Sequence, residues 1–183
     1  MARAGRVPGA EPALAAARLS LLQRIMLITD GTVGRILEQF AGEAMTLIKL
    51  SQTVGPIVGG DSLLGVEEDE RVLCRHVLLQ GSRSRSNFLY AESLVRSAGV
   101  APSLFREMVS SDVPLGYLLN QHRLETFREV LDSGEEEAGE CGRHFNIAPT
   151  EPLVFRTYRI FAGHRPIILI TEKFPLTGPL SLL

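Results

Sequence analysis

Two stretches of this chain read as antiparallel β-hairpins, and that limits its fold more than any other feature. Arg71 to Leu79 is rich in β-forming residues, Gly81-Ser82-Arg83-Ser84-Arg85-Ser86 is a polar turn, and Asn87 to Val95 is a return strand. Leu153 to Phe161, the turn Ala162-Gly163-His164-Arg165, and Pro166 to Phe174 repeat the arrangement. A hairpin must bury a face, and helical segments elsewhere supply cover. From Leu14 to Leu27, Leu14, Leu19, Leu22 and Met26 recur at helical spacings, until Asp30-Gly31 breaks the run. Thr32 then opens a second helix in which Val33, Ile36, Leu37 and Phe40 share a face, with Gly42 placed to stop it. Met45 to Leu50 reads as a strand, Thr53 to Asp69 as a Gly-rich, acidic loop, and Ser103 to Val109 as a helix. Pro114-Leu115-Gly116 is a tight lead-in to a predicted helix through Leu118 to Leu131, followed by a solvated linker from Ser133 to Gly142. The expectation is an α+β domain, with a single antiparallel sheet covered by helices on one side.

At 183 residues and 45% hydrophobic content, the chain suits one domain with a sizeable core. Its predicted limits are residues 17–176, between an N-terminus (1–16) expected to be disordered on composition and a short C-terminal tail (177–183). The net charge of −2 comes from 19 basic and 21 acidic residues spread along the chain, which provides no basic footprint for nucleic acid. Neither Cys74 nor Cys141 sits in a C-x-x-C pair, so no disulfide framework, zinc ribbon or thiol-exchange motif is expected. Pro8, Gly9, Glu11 and Pro12 interrupt the opening stretch where a signal peptide would need an apolar run, and no stretch has the length of a membrane span. A cytoplasmic protein with no membrane partner is expected.

Strand parity then singles out two charges. Arg75 shares a face with Leu73, Val77 and Leu79, and Glu172 shares one with Ile168, Ile170 and Phe174. A charge among core residues costs several kcal/mol unless it is paired or ligand-bound. Parity leaves two readings open: the charges pair with one another or with sheet neighbours, or they face a buried anionic ligand. The helix starts at Asp30-Gly31-Thr32 and Pro114-Leu115-Gly116 add backbone N–H groups able to receive a carboxylate.

Three segments, in order, resemble the signatures of the chorismate pyruvate-lyase family: Leu73-Cys74-Arg75-His76-Val77-Leu78-Leu79, Asp112-Val113-Pro114-Leu115-Gly116-Tyr117-Leu118-Leu119 and Ile170-Thr171-Glu172-Lys173-Phe174-Pro175. Asp30 to Leu37, Tyr90-Ala91-Glu92-Ser93-Leu94 and His122 to Glu129 extend the similarity, which runs from about Leu21 to Pro175 and is nearest to the divergent actinobacterial and archaeal branch. The resemblance implies a chorismate-lyase-like fold with an enclosed ligand pocket, chorismate as the small-molecule substrate, 4-hydroxybenzoate and pyruvate as products, and no cofactor. It implies that Arg75 binds the ring carboxylate, that Leu115 and Thr32 offer backbone N–H groups, and that Glu172 faces the ring hydroxyl. Arg75 and Glu172 are thus the expected catalytic pair, with Glu172 in apolar surroundings that favour its protonated form. The ubiquinone-pathway branch has a second arginine where this chain has Glu92, and Lys49 and Arg159 are the candidates to replace it.

Other motifs point elsewhere with less support. Gly60-Asp61-Ser62-Leu63 spells the GDSL hydrolase motif, but no Asp-x-x-His follows it, and it lies in a loop with no strand before it. His76, His122, His144 and His164 lack metal-ligand spacing, so no metal site is expected. The rival function is a non-catalytic small-molecule-binding domain, related to the effector domains of transcription regulators. Such regulators carry a DNA-binding domain first, for which too few residues precede Leu21.

Overall fold

The computed structural model describes residues 19–181, and the expected disordered N-terminus lies outside them. Helices α1 (Leu21–Ile28) and α2 (Val33–Ala41) open the chain, followed by strands β1 (Met45–Pro56), β2 (Arg71–Gly81) and β3 (Asn87–Arg96). Helices α3 (Pro102–Ser110) and α4 (Leu115–Gln121) come next, then β4 (Phe127–Glu137), β5 (Pro152–Ala162) and β6 (Arg165–Pro175). The strands form one six-stranded sheet in the order β1-β2-β3-β6-β5-β4, and every pairing is antiparallel. The expected architecture, one antiparallel sheet with helical cover, is the one observed.

The two anticipated hairpins, β2–β3 and β5–β6, lie side by side at the centre through β3–β6 pairing. Gly163 and His164 close the second hairpin, both at positive φ, as a two-residue turn of matching twist requires. The helices pack on the inner face, where Met26, Leu37, Leu73, Met108, Leu118, Ile168 and Phe174 belong to one continuous core. Ser20 caps α1 with a capping box: its hydroxyl accepts from Gln23 N and the Gln23 side chain accepts from Ser20 N. The Gln23 amide group donates to the Pro175 and Leu176 carbonyls, which anchors α1 to the end of β6. Leu180 is fully buried beside it, so packing continues past the last strand.

Two expectations change. The helix predicted through Leu118 to Leu131 stops at Gln121, and Phe127–Glu137 is an edge strand that takes in much of the supposed linker. Arg123 at φ 51° turns the chain out of the helix, and pairing with β5 satisfies a backbone whose side chains alone suggest solvent. Glu129, Asp132, Glu135, Glu136 and Glu137 then line the outer strand, where charge discourages pairing with another chain. β1 also runs six residues past its expected end, to Pro56, with a bulge between Lys49 and Ser51. Beyond it, Leu64 and Val66 from the 57–70 loop plug the outer face of the sheet against Val72, Cys74, Leu94 and Leu169. Burying Leu64 fully contributes roughly 1.5–3 kcal/mol toward holding this loop on the sheet.

Candidate functional site

Between the inner face of the sheet and the starts of α2 and α4 lies a cavity with roughly 630 Å³ of interatomic space, its mouth included. Its floor is largely apolar, with Val77, Leu79, Leu89, Ala91, Ile160 and Ile170, while Gly31–Gly34 and Pro114–Gly116 form the roof. The two roof segments touch. A Cβ on Gly34 would lie 3.1 Å from the Tyr117 ring, and one on Gly116 would lie 2.9 Å from the Thr32 methyl. The Tyr117 hydroxyl also donates to Glu38 of α2. Neither Thr32 nor Pro114 caps its helix with a side chain, so the first-turn amides are left for another acceptor.

Arg75 enters the floor from β2, only 1% exposed, and none of its three guanidinium nitrogens has a hydrogen-bond partner. Burial draws its pKa below the usual guanidinium value, and the charge of Asp112 partly counters this. Asp112 itself is bonded to Lys49 at 2.9 Å, so it does not neutralise Arg75 by contact. Buried arginines ordinarily find acceptors, and an unsatisfied one marks a place where an anion would be strongly held.

Glu172 enters from β6 and is fully engaged. Arg156 Nε donates to its Oε2 at 2.7 Å, and the Tyr158 hydroxyl donates to Oε1 at 3.1 Å. Arg156 sits opposite Glu172 in the β5–β6 register, is 1% exposed, and also donates to the Thr29 carbonyl at 2.8 Å. Burial alone would lower the Arg156 pKa, but Glu172 and Tyr158 outweigh it and raise it. The Tyr158 phenol is pushed well above its usual value by burial and by the neighbouring carboxylate. Both Glu172 oxygens accept hydrogen bonds, one from a guanidinium and one from a phenol. The expectation of an acid in purely apolar surroundings omitted this polar shell.

Thr32 and Leu115 line the roof. Lys49 and Arg159 are not part of the cavity wall. Lys49 is held by Asp112, and Arg159 lies on the outer face, donating to Glu129 at 2.6 Å and to the Leu63 carbonyl at 3.0 Å. Glu92 is outside as well, accepting from Tyr90 at 3.0 Å beneath the Gly139–His144 turn. Ser62 lies exposed in the outer loop. No group of His, Cys, Asp and Glu suited to a metal occurs among the described residues.

Sequence reasoning missed Arg156, Tyr158 and Arg128. Arg156 carries the same parity signal as Arg75, being in line with Val154, Tyr158 and Ile160. Arg128 was hidden by the mistaken helix. From β4 it reaches the cavity wall, its Nη1 donating to the Asp30 carbonyl at 2.7 Å while its buried Nε has no partner.

Fold and site together define a small α+β domain with a cavity, lined by the buried Arg75, between its sheet and its helices. The family model described as "Chorismate pyruvate-lyase Rv2949c-like" matches residues 27–179, and the chain belongs to that family. Among its relatives, the chorismate pyruvate-lyase of Mycobacterium tuberculosis is 28% identical over 155 residues, covering 82% of this chain and 78% of that one. The Mycobacterium leprae enzyme of the same name is 28% identical, with coverage of 82% and 72%. MJ0807 of Methanocaldococcus jannaschii is 27% identical, with coverage of 86% and 80%. Among solved structures, the C-terminal domain of the histidine utilization repressor from Pseudomonas syringae superposes with a TM-score of 0.53 at 19% identity, covering 76% of this chain and 95% of that one. The C-terminal domain of Yurk from Bacillus subtilis gives 0.52 at 12% identity, with coverage of 69% and 87%. These likenesses concern the fold. Among the described residues, no helix is long and apolar enough to cross a membrane.

Proposed function

We propose that this protein eliminates pyruvate from chorismate to leave 4-hydroxybenzoate. The observation that carries the proposal is the unpartnered Arg75 guanidinium, in one cavity with a carboxylate that is already paired. Such a cavity suits a ligand that brings its own carboxylate for Arg75 and its own hydroxyl for Glu172. Chorismate has both, on a ring of a size to rest against Val77, Leu79 and Ile170.

In the elimination, the bond between ring carbon and ether oxygen breaks and its electron pair leaves with enolpyruvate. The proton on the adjacent hydroxyl-bearing carbon is lost, and the ring becomes aromatic. Enolpyruvate takes up a proton and ketonises to pyruvate, so the step is redox-neutral and requires no redox cofactor. Arg75 anchors the ring carboxylate, joined by the amides of Leu115 and Thr32, and anchoring alone lowers the barrier by fixing the reacting bonds. Glu172, paired with Arg156, accepts a hydrogen bond from the ring hydroxyl and serves as the base for the ring proton.

Purified protein incubated with chorismate is expected to release 4-hydroxybenzoate and pyruvate in equal amounts, followed by chromatography. The likeness to a repressor's C-terminal domain favours a second reading, a module that binds its ligand without consuming it. Binding of chorismate with no product over prolonged incubation would select that reading and reject the lyase.

A further inference from the structure

We propose that Arg128 is the residue that recognises a second carboxylate on the ligand, so that the cavity selects dianions over monoanions. This rests on the proposed chemistry, in which chorismate carries one carboxylate on the ring and another on the enolpyruvyl arm. The positions first suggested for that second contact do not reach it: Lys49 is bonded to Asp112, Arg159 lies on the outer face, and position 92 points away from the cavity.

Arg75 and Arg128 are the cations on the cavity wall among the described residues. Arg128 forms no ion pair there; its one bond is to the Asp30 backbone carbonyl, and its buried Nε is unpartnered. That bond holds the guanidinium beside the Gly31-Thr32 part of the roof, where α2 has no side-chain cap. The charge also fits: Arg156, behind the wall, pairs with Glu172, so Arg75 and Arg128 are left as two positive charges for the ligand to balance. The two guanidinium groups, neither in an ion pair, come from strands well separated in the sheet. Four inter-strand steps separate β2 from β4, about 19 Å of backbone, so Arg75 and Arg128 meet a ligand at separate points. Arg128 is also close enough to Tyr158 for its charge to oppose the rise in the phenol's pKa, which places it at the Glu172 end of the cavity.

The test is calorimetric titration of wild type, Arg128→Met, Arg128→Lys and Arg75→Met with two stable ligands. One is 4-hydroxybenzoate; the other is 3-(carboxymethoxy)-4-hydroxybenzoate, which adds an ether-linked carboxylate and cannot eliminate. Arg128→Met is expected to weaken the dicarboxylate roughly 10- to 100-fold, the effect of losing one charged hydrogen-bonded contact. It should leave 4-hydroxybenzoate within about threefold, which also shows that the cavity has folded, and Arg128→Lys should restore part of the difference. Arg75→Met should weaken both ligands. Equal loss of both with Arg128→Met overturns the proposal, as does a wild type that prefers the monocarboxylate. Because neither ligand turns over, dicarboxylate selectivity that depends on Arg128 would stand even if chorismate gave no product, whereas the lyase reading would then fall.

Discussion

Replacing Arg75 by methionine should make the empty protein more stable while destroying its ability to bind anions. The guanidinium is 1% exposed, with three nitrogens lacking acceptors, so the folded state carries a desolvation cost that an apolar chain of similar length would not. Exchanging buried charged groups for well-packed apolar ones has stabilised proteins by about 1–4 kcal/mol. For a domain of this size each kcal/mol moves Tm by roughly 2–4 °C. Arg75→Met is therefore expected to raise the Tm of the ligand-free protein by roughly 2–16 °C, measured by calorimetry. Ligand should reverse the ranking. At 100 times Kd, 4-hydroxybenzoate would stabilise wild type by about 2.7 kcal/mol, or roughly 5–11 °C, and the variant by almost nothing. If Arg75→Met instead lowers the ligand-free Tm, the guanidinium is satisfied in the folded protein, and the case for a waiting anion site collapses.

Arg156→Met should cost about 3–5 kcal/mol in denaturant unfolding, because it strands the buried Glu172 carboxylate. The double variant Arg156→Met/Glu172→Met should recover most of that loss, and strictly additive losses would refute the coupling. Gly34→Val should cost about 1–3 kcal/mol, since its side chain would enter the space held by Tyr117 and Leu79. An unchanged Tm would show that the roof has slack where close contact is described.

How much of this was legible in sequence depended on alternation. In β2 and β6 the core-facing residues alternate with others, so Arg75 and Glu172 stood out as charges on an apolar face, and the structure places both in the cavity wall. Arg156 obeys the same rule and was legible in principle. Its partner was not, because a bulge between Ile160 and Phe161 shifts the register and only that shift brings Arg156 opposite Glu172. β4 was read as helix and linker since an edge strand facing solvent has no alternation to display, and Arg128 was lost with it. The plug of Leu64 and Val66 was equally invisible: it makes β2 apolar at adjacent positions, Val72 and Leu73, by burying the second face of the sheet locally.

The contact between the two roof helices has a kinetic consequence. With Gly34 against Tyr117, Gly116 against Thr32, and Tyr117 bonded to Glu38, lifting either α2 or α4 alone would break these contacts. Widening the mouth would favour moving both together, and with them the Thr29 and Asp30 carbonyls that Arg156 and Arg128 hold. For a ligand wider than the mouth, capture would be paced by how often the joined roof moves as one, not by how often a molecule arrives.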